Sequence, residues 1–217
     1  MNARHRLAGS AGRSTRDLRV AHGGNGPAAP DGRRQRSANS RRRIVDALIA
    51  LVRAGDIAPS AEAVSRQADV SLRTVFRHFD DMDSLYQEMS AAVEAEVQAL
   101  LTAPLPETEW PELLDELIAR RSRVFERIMP FKLAGNLRRH QSGLLMTKHL
   151  DLNERQRRAL AAVAPARLRE DAPLFEALDL LLCFESWYRL RSDQGLSIAR
   201  ARNSLRAACL ALMAAAR

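Results

Sequence analysis

A chain of 217 residues, 46% apolar and 28% charged, can bury a core and fits one small plus one medium domain. It contains no apolar run near the roughly 18 residues that a membrane-spanning helix needs, which excludes that class. The formal charge of +8 is unevenly spread: residues 1–43 hold eleven arginines against Asp17 and Asp31, a net +9, so the remainder sums to −1. Strand-type alternation of Val, Ile, Thr and aromatics is almost absent, which points to an all-α fold. The two cysteines, Cys183 and Cys209, lie in apolar helix-patterned sequence with no C-x-x-C and no histidine at ligand spacing. Buried thiols in a reducing cytoplasm are therefore expected, with no metal and no cofactor. There is no H-E-x-x-H, Gly-rich phosphate loop or G-x-S-x-G, and the five histidines are scattered, so catalysis is not expected.

In chain order, residues 1–38 have too few apolar side chains to fold alone and read as a disordered basic arm. They lack the apolar core of a secretory signal, and "GGNGPAAP" interrupts the amphipathic helix of an organellar transit peptide. A solvated tail and an arm that adds phosphate or minor-groove contacts to a neighbouring DNA-binding domain both remain open. Ile44, Leu48, Leu51 and Val52 then mark one face of a helix over about 39–54, ended by Gly55. Ser60 is placed to cap a second helix whose inner face is Ala63, Val64 and Ala68. Asp69 falls where the chain must turn through left-handed backbone, Ser71 caps a third helix, and Asp80 or Asp81 caps a fourth.

Two short helices separated by "ADV" form a helix-turn-helix, within an expected DNA-binding domain over residues 39–86. At about 100° per residue, Val75 and Phe79 share one side of the third helix and Arg73 and Arg77 the other. An outward arginine can fork onto guanine O6/N7, and the flanking Ser71, Thr74 and His78 can hold phosphates or base edges. Two arginines that merely solvate an ordinary helix are the competing interpretation.

The stretch "APSAEAVSRQADVSLRTVFRHFDDMDSLYQEM" resembles the amino-terminal domain of TetR-type transcriptional regulators, over Arg42 to Met89. The resemblance implies a phosphate contact at Ser60, and Ser71, Leu72 and Arg73 in the first turn of the recognition helix. It also implies that Thr74, Phe76, Arg77 and His78 touch double-stranded DNA, with Arg41, Arg42 and Arg43 beside them. Three departures stand out: Phe76 where the family usually carries Tyr, Met82 where a phosphate-binding Lys is common, and Asp69 in place of the turn glycine. Each of the first two weakens the expected grip on the DNA backbone, which the arm could offset.

Residues 87–217 read as helices and form the expected regulatory and dimerisation domain. Leu85, Met89, Val93, Val97 and Leu100 extend the fourth helix. A fifth is expected from Trp110 to Met129, a sixth from "PFKLAGNLRRH" and a seventh over "LDLNERQRRALAAV". Pro173 to Arg191 is apolar nearly all round and reads as one helix covered on two sides. Ile198, Ala201, Leu205, Ala208 and Leu212 follow a packing seam on the last helix. That seam, with Leu181, fits either an internal hairpin or the homodimer interface that the resemblance implies. A palindromic operator, a repressor's output and a small-molecule effector are likewise implied. Phe125, Met146, Phe175, Phe184, Trp187 and Tyr188 are candidate pocket lining or ordinary core. Glu185, which interrupts an apolar run, could anchor a ligand, pair with an arginine or face solvent. A helix-turn-helix protein without inducer, acting as a nonspecific DNA-binding or protein-interaction module, is the alternative function.

Overall fold

The computed structural model describes residues 32–215. Helices α1 (Gly32–Arg53), α2 (Ala61–Gln67), α3 (Leu72–His78) and α4 (Met82–Thr102) come first, followed by α5 (Glu112–Arg139) and α6 (Gly143–Val163). After these come α7 (Ala166–Arg169), α8 (Ala172–Leu181), α9 (Phe184–Tyr188), a π-helical turn over Arg189–Asp193, and α10 (Ile198–Ala215). Among the described residues there is no strand, so the fold is all-α.

The first three helices form around α1. Ile44, Leu48 and Val52 are completely buried at spacing i, i+4, i+8, and Val64, Val75 and Phe79 close over them from α2 and α3. The helix ends at Gly55, whose φ of 101° lets its amide reach the Val52 carbonyl (3.1 Å) and that of Asp56 the Leu51 carbonyl (3.1 Å). The turn between α2 and α3 uses the same device with a harder residue. Asp69 sits at φ 51°, its amide donating to the Arg66 carbonyl and that of Val70 to the Ser65 carbonyl. Ser60 accepts from the Ala63 amide at 3.2 Å, Ser71 from Thr74 at 3.2 Å and Asp81 from Ser84 at 2.7 Å, so three helix starts are fixed by side chains named in the sequence.

Four expectations change. Residues 32–38, assigned above to the arm, are helical; residues 1–31 of that arm lie outside the described residues. No proline interrupts the chain from residue 31 to Gly55, and local bonds carry the extension: Arg36 Nε donates to the Gly32 carbonyl at 2.9 Å. Next, α5 does not end at Met129 but continues through Pro130, joining the expected fifth and sixth helices. An interior proline costs about 3 kcal/mol. Burial of Ile128, Phe131 and Ala134 around it outweighs that cost, since each large apolar side chain contributes about 1.5–3 kcal/mol. The expected seventh helix is the second half of α6, whose start is capped by Ser142.

The fourth change is at the long apolar segment 173–191, which is broken rather than continuous. The chain turns at Leu182 and Cys183, where half-buried Arg121 donates to the Leu182 carbonyl at 2.6 Å and to the Gln156 carbonyl at 3.2 Å. The Cys183 sulfur then accepts from the Ser186 amide at 3.4 Å and starts α9. Arg121 thus provides the hydrogen bonds that a buried helix end would otherwise lack. Both thiols are free, and burial pushes Cys209 up to about 12. No described helix is long and apolar enough to cross a membrane.

The left-handed turn yields a stability test. Asp69→Gly should remain within about 1 kcal/mol of the parent, because lost strain and gained chain entropy oppose one another. Asp69→Val, with a β-branched residue at the same φ, should lose about 1–2 kcal/mol. Urea denaturation of the two variants checks the sign; equal stability would remove the turn's special status.

Candidate nucleic-acid interface

Helix α3 is seven residues long and held from beneath. Val75 and Phe79 are 1% and 2% exposed, which fixes the rotation of the helix about its axis. Leu72, Arg73, Phe76 and Arg77 consequently face outward, with Phe76 47% exposed. Ser71 Oγ and Thr74 Oγ1 lie 2.9 Å apart at the amino-terminal turn, and Ser60 is exposed at the start of α2. An exposed phenylalanine on such a helix has no packing role; an apolar contact to a thymine methyl group is chemistry it could serve.

Three of the sequence candidates make contacts within the fold: Arg41 and His78 are half-buried, and Arg43 is exposed but bonded to the turn. Arg41 stacks its guanidinium 4.2 Å from the centre of the Phe79 ring, donates to the His78 carbonyl and pairs with Glu88 at 2.9 Å. Arg43 donates to the carbonyls of Ala68 (2.6 Å) and Asp69 (3.1 Å), stapling α1 to the helix-turn-helix turn. Both therefore serve the fold, because carbonyls at short helix ends need donors. His78 is half-buried, and its Nε2 is buried without a hydrogen-bond partner. Burial, then the nearby charges of Arg77 and Arg41, hold its pKa below the usual histidine value, so it does not supply a cation. Arg42 is exposed and stays available.

The candidate pocket residues fall mostly in the core. Phe125 packs edge-on against Phe184 at 5.7 Å, Phe175 lies under Arg157 at 4.7 Å, and Met146 is half-buried. Trp187 is 1% exposed and donates to Glu126 at 2.8 Å. Glu126 also binds Arg191 at 2.7 Å, and those two donors hold its carboxyl below the ordinary range despite burial. Phe184, Glu185 and Tyr188 border a shallow depression, and Glu185 is solvent-exposed. A cavity of about 510 Å³ lies elsewhere, among α4, α5 and α6. Val93, Val97, Val124, Ile128 and Phe131 form apolar walls, and Lys132, Arg139 and His149 supply the polar end. Burial, then Lys132 and Arg139, push His149 down to about 4. The sequence reading weighed aromatics and missed these cations. Their signal was positional: Lys132 and Arg139 are seven apart and share a face of α5 with buried Phe125.

The dimer candidates divide similarly. Ala201 and Leu205 are buried inside the protomer, at 0% and 6% exposure, and offer little surface to a second copy. Leu181, Ala208 and Leu212 are half-buried, while Ile198 is exposed. Leu180, which the sequence reading passed over, is 65% exposed on α8.

No protein-family model matches the chain, and no curated protein matches it in sequence. A solved structure from Mesorhizobium loti, ascribed to the TetR family of transcriptional regulators, is similar at 22% identity and a TM-score of 0.43. The match covers 83% of this chain and 98% of that chain.

Arg41 and Arg42 are adjacent, yet the first is fastened to the fold and the second is exposed. Arg41→Ala should lower stability by about 1–2 kcal/mol without DNA, through lost stacking and an orphaned carbonyl. Arg42→Ala should change it by less than about 0.5 kcal/mol. Chemical denaturation of both variants decides, and equal stabilities would mean that Arg41 is a surface charge like its neighbour.

Proposed function

We propose that the protein is a sequence-specific DNA-binding transcriptional regulator that works as a homodimer. Helix α3 enters the major groove, with Arg73 and Arg77 on base edges, and Ser60, Ser71 and Thr74 on phosphates. The observation that carries this reading is the forced rotation of α3: two core residues bury one side and leave an Arg/Phe/Leu face exposed on a capped seven-residue helix. A solvated helix face needs no such outward phenylalanine and leucine. The sequence resemblance over Arg42 to Met89 supports the same assignment.

A single short helix covers only a few base pairs, so two copies related by a two-fold axis reading a palindromic operator suit the geometry. Exposed Leu180 (65%) and Ile198 (38%), on α8 and α10, are the apolar surface we assign to the partner copy. The cavity among α4, α5 and α6 has the size of a small-molecule site, and an effector bound there would release the operator, making the protein a repressor of the bacterial cytoplasm.

The first test uses duplexes enriched from a randomised library by the intact protein. Arg73→Ala or Arg77→Ala should lose about 1–3 kcal/mol of discrimination at one base pair of each half-site. A loss uniform across sequences would reduce the arginines to phosphate contacts, and undiminished selective binding by both variants would remove α3 from the interface. Nonspecific DNA packaging predicts no enriched sequence at all.

The second test is mass. Sedimentation at micromolar concentration should give a dimer, and Leu180→Glu with Ile198→Glu should give a folded monomer. A monomeric parent protein would contradict the two-fold arrangement.

A further inference from the structure

Resting on the effector reading above, we infer that the α4–α5–α6 cavity takes a small amphipathic carboxylate, its charged end held by Lys132 and Arg139 and its apolar body lying along Val93, Val97 and Phe131. Val93, Val97, Val124, Ile128 and Phe131 give the cavity an apolar side, polar and charged side chains line the rest, and Lys132 and Arg139 meet there at His149.

Lys132 Nζ lies 3.2 Å from His149 Nδ1, and Arg139 Nη1 contacts His149 Nε2 on the opposite side of the ring. A neutral imidazole offers one acceptor nitrogen and one N–H, so in either tautomer one of the two cations faces a proton. The imidazole cannot satisfy both. Asn153 reaches Nε2 as well, at 3.1 Å, and by presenting its amide oxygen it could take an N–H there; that leaves Arg139 without an acceptor. Arg139 Nε is itself buried with no hydrogen-bond partner.

Two carboxylates, Glu94 and Asp151, line the cavity, but Glu94 pairs with Arg155 and neither forms an ion pair with Lys132 or Arg139. Among the described residues neither Lys132 nor Arg139 takes part in an ion pair, although twelve ion pairs occur elsewhere, including Arg155–Glu94 (2.7 Å) and Arg158–Glu154 (3.1 Å) at the rim of the same cavity. Glu185 of α9 is the acid whose charge is felt at Lys132 and His149, but it is solvent-exposed and does not line the cavity. Lys132 is partly desolvated and packs its ammonium 5.5 Å from the Phe184 ring, which stabilises a cation without neutralising it. Half-buried cations that pair with no carboxylate carry a desolvation cost, and a carboxylate entering the cavity would supply acceptor oxygens to both. A neutral or cationic ligand would leave the donors unmatched. The apolar walls argue against a bare inorganic anion.

The test uses the full chain and isothermal titration with octanoate, benzoate and phenylacetate, beside octanol, octyltrimethylammonium and inorganic phosphate. At least one of the three carboxylates should bind saturably at one per chain. Octanol, octyltrimethylammonium and phosphate should bind at least about tenfold more weakly than it does, the loss expected when a charge-assisted hydrogen bond is missing. Lys132→Met and Arg139→Met should each weaken that carboxylate by about tenfold or more while keeping helicity and melting temperature. Lys132→Arg keeps the charge if the methionine variant proves unstable, and it should retain binding. Octanol binding as tightly as octanoate, undiminished carboxylate affinity in both methionine variants, or no binding by any of the three carboxylates would each overturn the inference. Ligand-free DNA binding judges the regulator reading separately, so a failed titration with intact operator selection would reject the carboxylate and leave the DNA-binding assignment standing.

Discussion

Everything in the amino-terminal half depends on the burial of one stripe of α1. Ile44, Leu48 and Val52 reach zero exposure where α2, α3, α4 and α5 converge on α1, and that convergence sets how α3 is rotated. With Val75 and Phe79 committed to the stripe, the helical repeat of about 3.6 residues leaves Arg73 and Arg77 no direction but outward. The outward face is a by-product of core packing. Rotating α3 to hide the arginines would pull two apolar side chains into water, at about 1.5–3 kcal/mol each.

Charge in this protein serves two purposes that composition cannot separate. Many arginines act as internal fasteners: Arg41 and Arg43 hold the helix-turn-helix, Arg121 closes the break after α8, and Arg191 joins Glu126 and the Leu196 carbonyl near the start of α10. Exposed ion pairs such as Arg53–Glu96 add little stability singly. Arg138 is better placed, pairing with Asp83 at 2.8 Å and stacking 5.0 Å from the Tyr86 ring, so the end of α5 is tied to the first turn of α4. Its neighbour Arg139 lines the cavity. Arg139 thus lies one residue from the Arg138–Asp83 contact that joins the end of α5 to the start of α4.

The amino-terminal elements were legible because local chemistry decides them. Ser60, Ser71 and Asp81 cap within three residues, and Asp69 takes left-handed backbone in a turn too short for any other path. Tertiary contacts decided what was misjudged. Pro130 looks like a stop, yet buried neighbours carry α5 through it; the segment 173–191 looks continuous, yet Arg121, more than fifty residues earlier, takes the carbonyl where it breaks. The same limit governed the sites. Ala201 and Leu205 have the pattern of an intersubunit seam but face α5 and α8 within the protomer, and the cavity's polar end joins residues from two helices that no single-helix periodicity pairs. The carbonyls that Arg41 and Arg43 bind, of His78, Ala68 and Asp69, lie 25 or more residues away along the chain, beyond the reach of local pattern.

The central claim is that α3 is the surface presented to DNA, and hydrogen–deuterium exchange of the intact protein with and without a selected duplex tests it most directly. Protection on binding is expected to concentrate in residues 60–62 and 71–77 and on the exposed side of α1 ahead of Ile44, with the cavity helices α5 and α6 little changed. Protection confined to α8 and α10, or spread without preference while 71–77 exchange as in the free protein, would contradict it.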